Sequence, residues 1–213
     1  MKLRKMSAVL VITAALLSII GVAALCEKAQ GSTPKGVGIA SPGETVKQFC
    51  DILESGERTQ LEDMIYGYSD LNLTAVPDSD SAAELFECLW DSYKCTPVGE
   101  LWVSGMSAKQ DVSVEYFAVC RAEERARELV QADYLQCMES AQDSADLFDE
   151  NNDLLESVVD EIYGRTVAEI VSAADEFTAT DTITLELTYV SGRWQITLND
   201  GMVNILLGGI NNG

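Results

Sequence analysis

The stretch TITLELTYVSGRWQITL at residues 182–198 decides the fold class, because its pattern is that of a β-hairpin. From residue 182 to residue 190 apolar side chains alternate with polar ones, so they share one face of a strand. Ser191 and Gly192 form a two-residue turn, and residues 193–198 return with Trp194 and Ile196. This part of the chain predicts an antiparallel hairpin with one face on a core.

A second hairpin is predicted in the middle of the chain. Residues 98–106 are rich in apolar side chains, and residues 111–120 alternate between apolar and polar types. We expect Lys109 in the turn between them. Two hairpins separated by helical sequence predict an antiparallel sheet in an α+β domain.

The remaining sequence predicts helices. Residues 44–65 and 81–93 carry apolar side chains at helical spacing, and Ser41 with Glu44 fits a capping box. Residues 121–176 read as an acidic helical insertion between the hairpins, and residues 202–207 as a last short helix. The prediction is therefore a single α+β domain over residues 43–213.

The order of elements resembles the cone-shaped nuclear-transport-factor-2-like fold. The likeness rests on the opening helical pair, ETVKQFCDILESGERTQLEDMI at residues 44–65, and on the hairpin at residues 182–198. The resemblance implies N-terminal helices packed on a curved antiparallel sheet, with a ligand cavity between them. Exported and lipid-anchored bacterial proteins of unknown function often look like this. The residues expected around the cavity are Phe49, Trp102, Tyr116 and Trp194.

The first 26 residues predict export. Lys2, Arg4 and Lys5 precede residues 6–26, which are almost wholly apolar. Three outcomes stay open: a membrane-spanning anchor, a cleaved signal peptide, or a lipoprotein with its lipid on Cys26. Leu25 departs from the small residue that a lipoprotein has before its cysteine. Residues 27–42 are rich in Gly, Ser and Pro and predict a flexible linker, so we expect the domain outside the cytoplasm, at the bacterial cell envelope.

The charge and the missing histidine exclude several functions. The formal net charge is -21, and three of the 14 basic residues precede residue 27. The rest of the chain therefore carries 11 basic and 35 acidic side chains, which repel nucleic acid. Without histidine, neither a Ser-His-Asp triad nor a histidine general base is possible. We predict no cofactor and no complete catalytic set.

One acidic stretch has the spacing of calcium ligands. Asp149, Asn151, Asp153 and Asp160 stand at positions one, three, five and twelve of a twelve-residue loop. Leu154 stands where that loop needs glycine, so the stretch also fits a helix start capped by Asp149 or Asn151. Calcium is the weaker interpretation, and no metal site is predicted.

Five cysteines follow the membrane segment, and their pairing stays open. They are Cys50, Cys88, Cys95, Cys120 and Cys137. Outside the cytoplasm thiols oxidise in pairs, and an odd number leaves one unpaired within the chain. The irregular spacing slightly favours mostly reduced, buried thiols.

Three functions fit the sequence. The first is a non-catalytic domain, tethered to the membrane, that binds a small molecule or an envelope protein. The second is a lyase or isomerase with a carboxylate and a tyrosine in its cavity, for which Tyr66, Tyr68, Tyr116, Tyr189, Glu115 and Glu186 are the candidates. The third is an envelope assembly protein whose acidic helices, residues 121–175, meet a basic partner.

Overall fold

The computed structural model describes residues 41–66, 73, 77 and 79–209. The predicted membrane segment and residues 27–40 of the linker lie outside these residues, as does Cys26. Within them, no helix is both long and apolar enough to cross a membrane. The elements, in chain order, are α1 (Pro42–Ser55), α2 (Arg58–Met64), β1 (Ile65–Tyr66), α3 (Asp80–Asp91), β2 (Lys94–Ser104), β3 (Ser107–Phe117), α4 (Val119–Ser140), α5 (Glu156–Ser172), β4 (Thr178–Val190), β5 (Arg193–Thr197) and α6 (Asp200–Leu206), with 3₁₀ turns at Ser144–Asp146 and Ala174–Phe177.

The strands form one five-stranded sheet in the order β1-β5-β4-β3-β2. β2 pairs with β3, β3 with β4 and β4 with β5, all antiparallel, whereas the two-residue β1 runs parallel to β5. The α+β class and both hairpins are confirmed, while the cone-shaped arrangement stays a prediction. β2 forms one outer edge of the sheet.

The turn of the first hairpin was misplaced by the sequence pattern. Gly105 and Met106 form it, and Gly105 takes a φ of 59°, which suits glycine. Lys109 lies inside β3, paired with Glu186 on β4. The error arose because two consecutive polar residues, Lys109 and Gln110, are typical of a loop. In the structure Lys109 faces solvent and Gln110 faces the core, as neighbouring residues of a strand do.

Helix α1 begins and ends where the sequence indicates. The Ser41 hydroxyl accepts a hydrogen bond from the Glu44 backbone N–H at 3.2 Å, and Gly56 ends the helix with a φ of 69°. Its apolar stripe, including Phe49 and Leu53, is buried against the sheet. Thr59 and Glu62 also have the spacing of a capping box, but that prediction is wrong, since the N-cap of α2 is Glu57.

The core lies between the helices and one face of the sheet. Five strand residues on this face have fully buried side chains: Val112, Val114, Leu185, Leu187 and Ile196. Inside the core the Tyr93 hydroxyl donates to the Ile205 carbonyl at 2.9 Å. Burial, and to a smaller degree the neighbouring Tyr116, raises the pKa of Tyr93 well above its ordinary value.

The section between β3 and β4 is helical, as expected. α4 and α5 enclose a small second core of Val130, Leu147, Val158 and Ile162. Residues 119–177 carry 16 acidic and four basic side chains. Because the section leaves β3 at Phe117 and rejoins β4 at Thr178, it begins and ends at the end of the sheet opposite the Gly105–Met106 turn.

A disulfide joins α1 to the edge strand β2. Cys50 and Cys95 form it, and both are buried. Beside it the Glu54 carboxylate accepts a hydrogen bond from the Cys95 backbone N–H at 2.8 Å. The slight preference for mostly reduced thiols did not foresee this pair, while Cys88, Cys120 and Cys137 are free.

Candidate functional site

The tip of the β2–β3 hairpin exposes large apolar side chains. Trp102 is 54% exposed and Met106 63%. We call these residues, together with their exposed neighbours, the hairpin surface; its members are Leu101, Trp102, Val103, Met106 and Tyr189. A monomeric soluble domain seldom exposes such residues contiguously, and a patch of this kind marks an interaction site.

A bulge in β2 shapes the strand below the hairpin surface. The pairing with β3 shifts register between Val98 and Trp102, and Gly99 takes a φ of 70°. The Gln110 side chain, almost completely buried, fills the gap in the ladder. Its amide nitrogen donates to the Val98 carbonyl at 2.6 Å and approaches the Gly99 carbonyl at 3.5 Å. Gln110 therefore satisfies the backbone that the bulge leaves unpaired.

The register places apolar side chains on both faces of the tip. Trp102 pairs with Lys109, whose side chain lies on the open face of the sheet. Val103 pairs with Ala108, which lies on the face that the helices cover. With Met106 in the turn between the strands, the hairpin ends in an apolar wedge and not in a one-sided patch.

The hairpin surface lies beside the N-terminal end of α1. A Cβ on Gly43, in the first turn of α1, would be 3.5 Å from the Leu101 side chain. On its other side, the Tyr189 backbone N–H donates to the Met106 carbonyl at 2.8 Å. The Tyr189 ring packs edge-on against Trp194, with 5.4 Å between ring centroids. The tip is thus attached to both α1 and the second hairpin.

Two charged side chains next to the tip, Lys109 and Asp111, have partners on β4. Lys109 forms an ion pair with Glu186 at 2.5 Å, and the Thr184 hydroxyl donates to the Asp111 carboxylate at 2.6 Å. Glu115, which we considered as a catalytic carboxylate, pairs with Lys94 at the other end of the sheet. The open face therefore places Glu115 and Glu186 in separate surface ion pairs.

The four residues expected around a ligand cavity take different positions. Phe49 and Tyr116 are 1% exposed and belong to the main core, and Trp194 packs at its border. Trp102 projects from the opposite face of the sheet to Tyr116. The Tyr116 hydroxyl donates to Asp181 at 2.5 Å. Of the four, Trp102 belongs to the hairpin surface. The other members of that surface were missed; the apolar run Leu101–Val103 indicates a strand but not that its side chains are exposed.

The calcium candidates form a tight turn. The Asp149 carboxylate accepts hydrogen bonds from the backbone N–H groups of Asn151 and Asp153, both at 2.9 Å. These bonds, that from Asp153 foremost, lower the pKa of Asp149. Asp160 lies on the exposed side of α5, which starts at Glu156 without a side-chain cap. Among the described residues no group of three His, Cys, Asp or Glu is placed to hold a metal ion.

A hollow of about 560 Å³ opens between the end of α4 and α5. Arg165 and Cys137 line it, together with Glu161. The Arg165 guanidinium pairs with Glu161 at 3.0 Å and with Asp133 at 3.9 Å. Because these carboxylates already compensate its cation, the hollow offers an anionic ligand no uncompensated charge.

Comparisons with known proteins identify no family. No protein-family model matches the sequence, and no curated protein matches it. The chain is similar to a crystal structure described as a "putative lipoprotein (ycdA)" from Bacillus subtilis, with 16% identity and a TM-score of 0.40 over 93% of this chain. The chain spans 55% of that protein's length. A likeness at this level assigns neither fold nor function.

Proposed function

We propose that this protein is an extracytoplasmic domain, tethered to a membrane, that acts by binding through the hairpin surface and not by catalysis. The observation that carries the proposal is the wedge of exposed apolar side chains around Trp102 and Met106. Exposed tryptophan contributes more to binding than most residues when it is buried against a partner, and keeping it in water is unfavourable.

Two independent features support a location outside the cytoplasm. One is the basic, apolar sequence of residues 2–26, which has the composition of an export segment. The other is the disulfide between Cys50 and Cys95. Structural disulfides persist in oxidising compartments and are rare in the cytosol of mesophiles. An export signal and a disulfide are expected together in a protein that works at the envelope.

The candidates for acid–base chemistry that the structure describes are dispersed, which favours binding over catalysis; Tyr68 lies outside the described residues. Glu115 and Glu186 each pair with a lysine on the open face, and Tyr189 belongs to the hairpin surface. Tyr116 is directed at Asp181 inside the domain. A lyase or isomerase would need a carboxylate and a tyrosine that converge on one substrate.

The nuclear-transport-factor-2-like cone is part of the proposal. α1 and α2 pack on one face of the mainly antiparallel sheet, as that resemblance implies. In such a cone the hairpin surface would stand at the rim. The acidic helices α4 and α5 offer a second candidate surface, for a basic partner, and binding there would be lost at about 0.5 M salt because screening is then almost complete.

Site-specific photocrosslinking in a bacterial envelope tests the proposal. A photoreactive amino acid is placed at position 102 or 106 of the full-length protein, and matched controls carry it at Thr96 and Thr182, which are exposed on the same sheet. We expect adducts, with protein or with lipid, at positions 102 and 106 and few at the controls. Equal crosslinking at all four positions would refute a binding role for the hairpin surface.

A further inference from the structure

We propose that the hairpin surface inserts into the lipid bilayer beside the protein's own N-terminal segment. Trp102 and Met106 then lie at the boundary between headgroups and acyl chains. This inference rests on the proposed function, because it names the partner of the same surface. It also defines the orientation of the domain relative to the membrane: the tip faces the bilayer, and the acidic helices α4 and α5 face away from it.

The shape of the tip favours lipid as the partner. Apolar side chains project from both faces of the hairpin and from its turn, with Trp102 on one face and Val103 on the other. A flat protein surface can cover one face of such a wedge but leaves the other in water. Acyl chains and headgroups surround an inserted tip on every side, and tryptophan is enriched at this interface because its ring is apolar and its N–H is polar.

The position of the tip agrees with this partner. Leu101 lies next to Gly43, so the tip stands beside the point where the chain arrives from residues 1–40. Residues 6–26 of that part are apolar enough to enter a bilayer, and only 15 residues separate them from Pro42. A flexible linker of this length has a typical end-to-end distance of about 20 Å. In the membrane-tethered protein proposed above, a linker of this length would keep the tip close to the membrane.

The distribution of charge also fits this orientation. Residues 119–177, with 16 acidic and four basic side chains, leave and rejoin the sheet at the end opposite the tip. Eleven-residue strands such as β3 are about 33 Å long, which exceeds three Debye lengths at physiological salt. At the tip Lys109 is paired with Glu186. The charge of this acidic section is therefore screened at the tip, where the apolar side chains are.

The free edge of β2 is unsuited to a second copy of the chain. Glu54 occupies the N–H of Cys95, Pro97 has no N–H, and the bulge at Gly99 interrupts the ladder. Covered, proline-bearing and bulged edges resist strand pairing between molecules. Strand addition along residues 95–99 is therefore unfavourable, and the tip beyond them presents apolar side chains.

Tryptophan quenching by brominated lipid tests the inference. The three tryptophans of the chain, Trp90, Trp102 and Trp194, all lie in the folded domain, so the N-terminal segment contributes no signal. The full-length protein is reconstituted into phosphatidylcholine vesicles whose acyl chains carry bromine near the headgroups or deep in the core. A matched control combines Trp102→Phe with Thr182→Trp, which moves an exposed tryptophan to the end of the sheet far from the tip.

Shallow bromines are expected to quench the Trp102 signal by about half and deep bromines less, because an inserted tip reaches only the headgroup and acyl boundary. The control variant should lose this quenching. Equal emission from brominated and ordinary vesicles would overturn the inference. If quenching is absent but photocrosslinks from positions 102 and 106 lead to a protein, the proposed binding function survives without membrane insertion. If both quenching and crosslinks are absent, the binding function and the insertion are both refuted.

Discussion

Replacing Cys50 and Cys95 with alanine removes the covalent bond that holds α1 along the edge strand β2. The two cysteines are 45 residues apart in sequence, and both are buried. The bond holds α1, whose first turn lies beside Leu101, against β2. Its loss is expected to destabilise the domain and to free α1 from the strand that carries Trp102.

The expected loss follows from the size of the closed loop. In the chain-entropy description, a crosslink across about 45 residues removes enough conformational entropy from the unfolded chain to stabilise the fold by about 4 kcal/mol. Whole domains of this size are stable by only about 5–15 kcal/mol. With an m-value of about 2 kcal/mol per molar, the urea midpoint should fall by about 2 M.

Urea titration followed by tryptophan fluorescence measures this shift on the full-length protein in mild detergent, with and without reductant. Reductant should lower the midpoint of the wild type and leave the double variant unchanged. A Cys88→Ala variant is the matched control, because its cysteine is free and it should still respond to reductant like the wild type.

A thiol count provides the decisive result. The chain has six cysteines, so the denatured, unreduced protein should expose four thiols, or three if Cys26 carries a lipid. Six reactive thiols, or a mass spectrum with a different pair, would refute both the bond and the stability derived from it. Such a result would also remove one of the two arguments for a location outside the cytoplasm.

Three further changes test other contacts. Gln110→Met removes the amide that donates a hydrogen bond to the Val98 carbonyl in the bulge. Urea titration should show that the free energy of unfolding falls by about 1–3 kcal/mol. An unchanged urea midpoint would contradict this role of Gln110. Gly208→Ala should lower the free energy of unfolding by about 2 kcal/mol or more, because the φ of Gly208 is 70° and the new Cβ would press on Val119 and stand 3.0 Å from the Phe117 carbonyl oxygen. Gly192→Ala is its control: Gly192 also has a positive φ, but open space surrounds it, so the loss of stability should be smaller. Tyr93 has a raised pKa in the folded state, so its contribution to stability is complete below about pH 10 and falls as the pH rises further, by up to about 1.4 kcal/mol per pH unit. Tyr93→Phe should flatten this decline between pH 9 and pH 11 in unfolding titrations, and an equal slope in both proteins would count against it.

Local patterns in the sequence were sufficient for most helices and strands. The alternation at residues 182–198 corresponds to β4 and β5, and the Ser191-Gly192 turn lies where the pattern indicates. Ser41 and Gly56 bound α1 because a capping hydroxyl and a positive-φ glycine act on the backbone next to them. Such signals are readable because cause and effect lie within a few residues of each other.

The candidate surface could not be found in this way. Trp102 was expected to line the cavity that the cone resemblance implies between the opening helices and the sheet. Its exposure depends on the bulge at Gly99, on Gln110 across the ladder and on the absence of a covering element at the tip among the described residues. None of these is encoded within the LWV stretch itself.

The sequence by itself determined the α+β class, the positions of most elements, the acidic helical section and the lack of histidine chemistry, because periodicity, capping and composition are local properties. Only the tertiary structure decided that Cys50 meets Cys95, that the turn falls at Gly105 and Met106, and that Trp102 faces solvent. These outcomes depend on which distant segments pack together, and a side chain's burial is a property of its neighbours in space, not of its neighbours in the chain.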